Sequence, residues 1–223
     1  MSNWKHIVGL IAILMATVPL VVAAADEDYE YDPYNAEEIM ELCAGCHGEF
    51  GQGGGDGEYP RLAGLPLKYL ADQLRAYISG EREGLVMMAY ANEREMPETD
   101  LRDISRYLAE IELPSKVPVI DQDLDSLEKL LIASRVFNVP RHEGDLVLGE
   151  QIYNKQCKMC HGKNGGGRGK FPQLAGQYSA YIRLQIEDFR SGKRINKQMD
   201  KYLAGLTEEN IENLLAYLSV ADD

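Results

Sequence analysis

The chain has 223 residues, and its 23 basic and 36 acidic side chains give it a formal net charge of −13. This length predicts one or two small domains, and the composition is that of an ordinary globular protein. The excess of negative charge argues against nucleic acid or an anionic membrane surface as a partner.

Residues 1–25 are predicted to form a signal peptide. Lys5 precedes a mostly apolar run over 7–25, in which small residues at Ala23 and Ala25 favour cleavage after Ala25. The alternative is an uncleaved membrane anchor, because 19 mostly apolar residues are nearly enough to span a bilayer. Both interpretations place the rest of the chain outside the cytoplasm, and the second adds membrane association through the N-terminus.

A helix is predicted to lead into the first cysteine motif. Asn35 is a good cap, with Glu38 three residues later, and the helix would run from Ala36 into Cys43. The glycine-rich loop over 48–57 that follows the motif is expected to be a flexible connection.

The pattern Cys-x-x-Cys-His occurs twice and contains all four cysteines. Two thiols three residues apart on a helical turn can each form a thioether with the edge of a haem, and the histidine that follows can then bind the iron. The pattern therefore predicts two covalently bound haem c groups. The residues in these roles are Cys43, Cys46 and His47 in the first copy and Cys157, Cys160 and His161 in the second.

Three other uses of the cysteines are weaker. Two Cys-x-x-Cys pairs could bind one zinc ion, and a single pair could be a thioredoxin-like redox motif. Neither requires a histidine directly after the second cysteine, yet histidine follows in both copies. Disulfides are compatible with export, but two local pairs would stabilise little.

Two further helices are predicted in the first half. Over 66–79, apolar residues recur at helical spacing, and Gly80 ends the pattern. Pro97 begins a last helix, which Pro114 closes.

The second half repeats the first at a shift of 112 residues. Residues 60–80 align with 172–192, with 8 of 21 positions identical, and a final amphipathic helix follows the cap Thr207. Such a repeat indicates duplication of one domain. The sequence therefore predicts an all-α protein of two tandem domains, over 26–114 and 143–223, each a small helical bundle around one haem.

Residues 115–142 are predicted to form a partly helical linker. Its apolar residues suggest a helix that packs on another element. A second helix over 145–156 leads into the second haem motif, and its Gly149 and Tyr153 are expected to meet Leu214 and Tyr217 of the C-terminal helix. The apolar linker residues are Leu124, Leu127, Leu130, Leu131 and Phe137.

Methionine is predicted to supply the second axial ligand of each iron. Met199 is the only methionine after the second haem motif, so the choice at haem 2 is nearly forced. At haem 1, Met87 follows Gly80 by seven residues, as Met199 follows Gly192, whereas the distance to the last helix favours Met88. We predict Met88, with Met87 as the alternative, and assign Met96 to the core.

The sequence resembles the dihaem cytochromes c4, which are tandem class I cytochrome c domains, over nearly all of residues 35–220. The resemblance implies that the carbonyl groups of Pro60 and Pro172 accept hydrogen bonds from His47 and His161. It rests on both haem motifs, the late methionines, and the segments Tyr59-Pro60-Arg61-Leu62-Ala63-Gly64 and Phe171-Pro172-Gln173-Leu174-Ala175-Gly176.

The resemblance also implies a periplasmic carrier of single electrons rather than an enzyme. Its partners would be periplasmic or membrane-bound redox proteins: a terminal oxidase, a quinol-oxidising complex or a dehydrogenase. Two alternatives stay open, namely a cytochrome subunit of a dehydrogenase complex and a dihaem enzyme with an exchangeable sixth ligand at haem 1.

Charge is unevenly distributed along the chain. Residues 26–114 contain 21 acidic and 7 basic side chains, a net −14, whereas residues 115–223 contain 15 of each. Negative charge near a partly buried iron favours Fe(III). We therefore predict that haem 1 has the lower reduction potential, and that the acidic domain docks a basic partner.

Overall fold

The computed structural model describes residues 29–221, which contain helices, turns and three isolated β-bridges but no β-sheet. The predicted all-α fold is thereby confirmed. The predicted signal peptide over 1–25 lies outside the described residues. Among residues 29–221, no helix combines the length and the apolar character that crossing a bilayer requires.

The described part of the first half, from residue 29 on, contains four helices and a short 3₁₀ turn at Gly55–Gly57. Helix α4 packs against both α1 and α2 and closes the first core, which includes Leu70, Met96, Leu101 and Ile104. The helices are α1 (Pro33–His47), α2 (Leu67–Ile78), α3 (Leu85–Tyr90) and α4 (Glu98–Glu110).

The second half has the same plan. Helix α10 packs against α6 and α8 around a core that includes Tyr153, Ile182 and Leu215. The helices are α6 (Leu146–Gln156), α7 (Lys158–His161), α8 (Ser179–Ser191), α9 (Lys197–Leu203) and α10 (Glu208–Leu218); α5 (Ser126–Ser134) lies in the linker, and a 3₁₀ turn occupies Lys163–Gly165.

Helix α1 begins three residues earlier than predicted. The carboxylate of Asp32 accepts hydrogen bonds from the backbone N–H groups of Tyr34 (2.9 Å) and Asn35 (3.2 Å), and Pro33 occupies the first helical position. A capping aspartate followed by proline is a stronger start than an internal asparagine. The prediction that Asn35 caps the helix is wrong, because its side chain instead donates to Asp103 of α4 (2.9 Å).

The start of the first helix is tied to the last helix in both halves. The backbone N–H of Asp32 donates to the carboxylate of Asp103 (3.1 Å), and that of Asp145 donates to the side chain of Asn213 (2.8 Å). These bonds fix the position of α1 against α4 and of α6 against α10. Helix α1 contains the first haem motif, and α6 directly precedes the second.

The linker helix does not pack as predicted. Residues Leu127, Leu130 and Leu131 are each more than half exposed. The linker leaves and returns at one place, since the backbone N–H of Phe137 donates to the carbonyl of Pro114 (3.0 Å). Helix α5 therefore lies on the surface. The segments before and after it contact each other directly, through Phe137 and Pro114, and do not need the helix to hold them together.

The two halves lie within one compact unit from Tyr31 onward. Gln177 of the second half exchanges two hydrogen bonds with the backbone of Arg61 in the first, at 3.0 and 2.9 Å. Beside them, the ring of Tyr178 lies against Gly53, where a Cβ atom would come within 2.7 Å of it. We call this boundary between the halves the domain seam.

Candidate haem-binding sites

The first haem motif occupies the last turns of α1. His47 is buried, and its Nδ1 lies 2.9 Å from the carbonyl oxygen of Pro60. Because a carbonyl can only accept, Nδ1 carries the proton and donates, which leaves the lone pair of Nε2 for a metal. The ring of Tyr59 meets the imidazole edge-on, with centroids 6.3 Å apart.

The second motif repeats this geometry. The Nδ1 atom of His161 lies 2.9 Å from the carbonyl oxygen of Pro172, and the Phe171 ring meets the imidazole edge-on at 6.3 Å. Burial lowers the pKa of both His47 and His161. Both imidazoles are therefore neutral, as iron ligation requires.

The glycine-rich loops hold the prolines in place. The carbonyl of Gly165 accepts hydrogen bonds from the backbone N–H groups of Leu174 (2.7 Å) and Ala175 (3.1 Å), and Gly51 does the same in the first half. Gly165 has φ +79°, and a Cβ atom there would lie 2.9 Å from the nitrogen of Ala175. The loop that was expected to be a flexible connection is instead held by hydrogen bonds to the segment that follows the proline. It needs glycine for its positive φ and for the close contact between the two backbones.

All four cysteines are half-buried, and none of them forms a disulfide. Burial raises the pKa of Cys43 and of Cys157 to about 11. A thiol that stays protonated is a poor candidate for thiol–disulfide exchange, which needs the thiolate. The thiols are suited instead to the covalent attachment that the adjacent histidines indicate.

The methionines differ in their placement. Met199 on α9 and Met87 on α3 both line the cavity that contains the haem motifs. Met88 does not line it and is 41% exposed. The choice between Met88 and its alternative, Met87, stays a prediction, and the position on the cavity favours Met87. Met96 is buried in the core as expected, although it also lines the cavity.

One continuous cavity of about 1160 Å³ contains both haem motifs. Sites for a single small molecule usually measure about 300–1,000 Å³, so this volume is in keeping with two large groups. Apolar side chains from both cores, such as Leu74, Ile104, Ile186 and Leu214, form much of its wall. The residues that line the cavity fit two haems. Each half contributes a pair of cysteine thiols, a histidine imidazole and a methionine side chain.

The family model described as cytochrome c matches residues 35–112 and again residues 146–221. The chain belongs to the cytochrome c family. Cytochromes c4 are among its relatives, and the prediction of a dihaem cytochrome of that type is confirmed.

Three comparisons define the relationship. The thiosulfate dehydrogenase electron acceptor of Thiomonas intermedia is 32% identical over 183 residues, which cover 82% of this chain and 76% of that protein. The structure of cytochrome c4 from Acidithiobacillus ferrooxidans matches with a TM-score of 0.62 at 28% identity, covering 81% of this chain and 98% of that one. The structure of thiosulfate dehydrogenase from Marichromatium purpuratum matches with a TM-score of 0.64 at 26% identity, covering 85% of this chain and 40% of that one.

This cytochrome is a dihaem electron carrier with two covalently bound haem c groups. Each haem supplies one Fe(III)/Fe(II) couple, and the protein determines the potential through ligands, burial and nearby charge. Residues Cys43, Cys46 and His47 would hold one haem, and the equivalent residues of the second motif the other.

Sequence reasoning missed two cavity residues at the domain seam, Arg82 and Arg194. They are identical under the same shift of 112 residues, two positions beyond the block that ends at Gly80 and Gly192. Extending the repeat by those two positions would have found them.

Proposed function

We propose that this cytochrome works in the periplasm, with His/Met ligation at both haems, and accepts electrons from a dehydrogenase of thiosulfate or a similar sulfur anion. The placement of Met87 and Met199 on the cavity shared with His47 and His161 is the observation that carries the ligation. The Thiomonas relative and the Marichromatium structure support the class of donor.

The surface around haem 1 fits a docking site for that donor. Four exposed apolar side chains line the mouth of the cavity in the first half, and we call them the apolar rim: Leu42, Leu85, Val86 and Tyr90. Exposed carboxylates of Glu38, Glu83 and Glu95 line the cavity beside them. An apolar centre with a charged surround is typical of specific interfaces.

The equivalent surface of the second half is less apolar. Leu184 is the one exposed large apolar side chain, among residues 29–221, that lines the cavity there, and Lys170 and Lys193 take the place of the carboxylates. The first half therefore fits a donor with an apolar patch ringed by lysine or arginine. The second half fits an acceptor with acidic groups around its redox centre.

Stopped-flow reduction by the thiosulfate dehydrogenase of Thiomonas intermedia, with thiosulfate as substrate, tests donor and surface together. We expect Glu83→Lys and Glu95→Lys to slow the bimolecular step about tenfold at low salt, and Leu85→Ser to slow it at all salt concentrations. Glu150→Lys, an equal charge change on an exposed position of α6, is the control. The donor class is wrong if thiosulfate reduces no wild-type protein; the surface is wrong if Glu150→Lys slows reduction as much as Glu83→Lys.

Export has a separate test. A protein isolated from the periplasm with a mass that corresponds to a chain starting at Asp26 plus two haems supports cleavage of residues 1–25. A full-length chain recovered with membranes would instead support the anchor.

A cytochrome subunit of a dehydrogenase complex is the second candidate. It is favoured by the Marichromatium structure, in which a segment similar to this chain makes up only part of a longer thiosulfate dehydrogenase chain. Sedimentation of the native protein distinguishes the two, because a carrier sediments alone and a subunit sediments with its enzyme.

A further inference from the structure

The internal repeat has opposite charges at equivalent positions of the two halves. Under the shift of 112 residues, Glu58 corresponds to Lys170 and Glu81 to Lys193, and all four side chains are exposed. Glu58, Lys170 and Lys193 also line the cavity that contains the haem motifs. The exposed charge beside the haem motif is therefore acidic in the first half and basic in the second.

The second half also has exposed apolar side chains beside its basic charge. Met159 lies between the two cysteines of the second haem motif and is 68% exposed, and Leu184 lines the cavity with 46% of its surface exposed. Lys158 directly precedes Met159 and is exposed as well. We call Met159 and Leu184, together with Lys158, Lys170 and Lys193, the basic face.

Several charges on both surfaces have no ionic partner within the chain. Among residues 29–221, no ion pair forms at Glu38 or Glu83 beside the apolar rim, nor at Lys158 or Lys170 on the basic face. Unpaired charges of one sign create a surface potential that attracts a surface of the opposite sign. Each surface is therefore available to a partner of complementary charge.

The basic face has the chemistry that the apolar rim requires of a partner. The rim, with Glu38, Glu83 and Glu95 beside it, fits an apolar patch ringed by lysine or arginine, and the basic face is such a patch. Contact between two first halves, or between two second halves, would bring like charges together and is unfavourable. A second copy of this chain is therefore attracted in one arrangement, with its basic face on the apolar rim.

We propose that two copies of this cytochrome dock head to tail, with the apolar rim of one on the basic face of the other, and exchange electrons across that contact. The inference rests on the proposed function, because it uses the surface assigned there to the donor. One electron passes from Fe(II) of haem 1 in one copy, which becomes Fe(III), to Fe(III) of haem 2 in the other, which becomes Fe(II). No bond and no proton changes place.

The contact is transient. Weak encounters between electron-transfer proteins bury less than about 1,200 Å² in total, and the few exposed apolar side chains of each surface suit a contact of that class. The two surfaces are unlike, so the contact is heterologous and each copy keeps its other surface for a further copy. Association should therefore be measured as a rate of electron exchange and not as a change in mass.

The salt dependence of electron exchange between copies tests the arrangement by its sign. Two copies with a formal net charge of −13 repel each other as whole molecules, so salt should accelerate random encounters. Salt instead slows docking between unlike surfaces, because it screens the local attraction. We expect the exchange rate of the half-reduced dihaem protein to fall as salt rises. A rate that rises with salt would overturn the proposal.

Broadening of the haem NMR resonances measures that rate. Transfer between the two haems of one copy does not depend on protein concentration, whereas exchange between copies increases with it. The slope of the rate against concentration therefore gives the exchange between copies alone. Visible spectra identical to those of the wild type show that a variant has kept its haem environments.

Charge-reversal variants test the two surfaces. We expect Glu83→Lys and Lys170→Glu each to slow exchange about tenfold at low salt, although Glu83→Lys makes the net charge less negative and would speed exchange if net charge alone decided it. An equimolar mixture of the two variants should exchange faster than either variant alone, because the altered rim of one then meets the altered face of the other. The controls are Glu150→Lys and Lys116→Glu, at exposed positions that do not line the cavity, and they should change the rate by less than about twofold.

The proposal is wrong if the mixture exchanges at a rate between those of the two variants, or if the controls slow exchange as much as Glu83→Lys does. It is also wrong if Glu83→Lys slows reduction by the thiosulfate dehydrogenase but leaves exchange between copies unchanged, in which case the donor surface stands. If thiosulfate reduces no wild-type protein while the mixture behaves as expected, the head-to-tail contact stands without the proposed donor.

Discussion

Gly149 lies so close to Asn213 that a Cβ atom on the glycine would be 2.0 Å from the backbone carbonyl oxygen of Asn213. The same atom would meet the Cβ of Tyr217 at 2.8 Å. Glycine is therefore what allows α6 and α10 to cross here, and the Tyr153 and Tyr217 rings pack beside the crossing with centroids 5.4 Å apart. The predicted contact between these helices is present, with Asn213 rather than Leu214 facing the glycine.

We expect Gly149→Ala to destabilise the second half. Alanine is the better helix former by about 1 kcal/mol, but the methyl group must push two helix backbones apart, and overpacking of this kind typically costs about 1–3 kcal/mol. Chemical denaturation followed by the haem absorbance measures the net loss.

The matched control is Gly205→Ala, because a Cβ atom at Gly205 has no neighbour within 4 Å. It should change stability by no more than about 0.5 kcal/mol. Equal effects of the two substitutions would contradict the role assigned to the crossing.

The sixth ligand of haem 1 distinguishes two neighbouring residues. We expect Met87→Ala to open that haem without releasing it, because the thioethers persist. One of the two haems should then bind cyanide or carbon monoxide and lose the long-wavelength absorption band of ferric His/Met haem. Met199→Ala should do the same at haem 2, whereas Met88→Ala should leave both irons closed. Ligand binding by the Met88→Ala protein would restore the assignment made from the sequence.

Signals local to the chain predicted most of the fold. The haem motifs identify the covalent sites by themselves, and the helical spacing of Leu101 and Ile104 identifies residues that are buried in the first core. Thr207 caps α10 as expected, accepting from the N–H of Asn210 (3.1 Å). These features depend on residues within a turn or two of each other, which a sequence displays directly.

Features set by distant residues were mispredicted or missed. Leu127 and Leu130 have helical spacing, but nothing local shows that the chain closes at Pro114 and Phe137 without them. The choice between Met87 and Met88 stays a prediction, because a count of residues from the last helix does not show which side chains of α3 line the cavity. The hydrogen bonds of Arg82 to Tyr181 and Gln185 join elements about a hundred residues apart, and only an extension of the repeat points to them.

The pair of His142 and Glu212 predicts a dependence of stability on pH. The Nε2 atom of His142 lies 2.6 Å from Glu212, and Arg183 contacts the same carboxylate. These partners, His142 foremost, lower the pKa of Glu212. A carboxyl with a depressed pKa contributes stability above its unfolded-state pKa of about 4.3 and loses it as the pH falls through the folded-state value.

We therefore expect Glu212→Gln to be less stable than the wild type at neutral pH, and the difference to disappear at acid pH, once the pH lies below the folded-state pKa and the carboxyl is protonated in both states. The difference should be at most about 1 kcal/mol, because the carboxylate is close to half exposed. Denaturant unfolding of both proteins at the two pH values measures it, with Glu209→Gln as the control on the same helix. A difference that persists in acid would mean that packing, not charge, is responsible.

The order of the two reduction potentials is predicted from charge, and the charged side chains that line the cavity support the prediction. Among residues 29–221, five carboxylates of the first half line the cavity against two arginines, and one carboxylate of the second half lines it against three basic side chains. The five are Glu38, Glu58, Asp72, Glu83 and Glu95. Since nearby negative charge stabilises Fe(III), haem 1 should have the lower potential, and an electron that enters at the apolar rim should pass to haem 2.

A redox titration of the dihaem protein at low and high salt tests this order, with the two haems distinguished by Met87→Ala and Met199→Ala. Exposed carboxylates are screened beyond about 8 Å at physiological ionic strength, so the gap between the two potentials should narrow as salt rises. Glu58→Gln should raise the potential of haem 1 more than that of haem 2, because Glu58 is adjacent to Tyr59, whose ring packs on His47. A higher potential at haem 1, or a gap that salt leaves unchanged, would show that ligand geometry and burial outweigh the carboxylates.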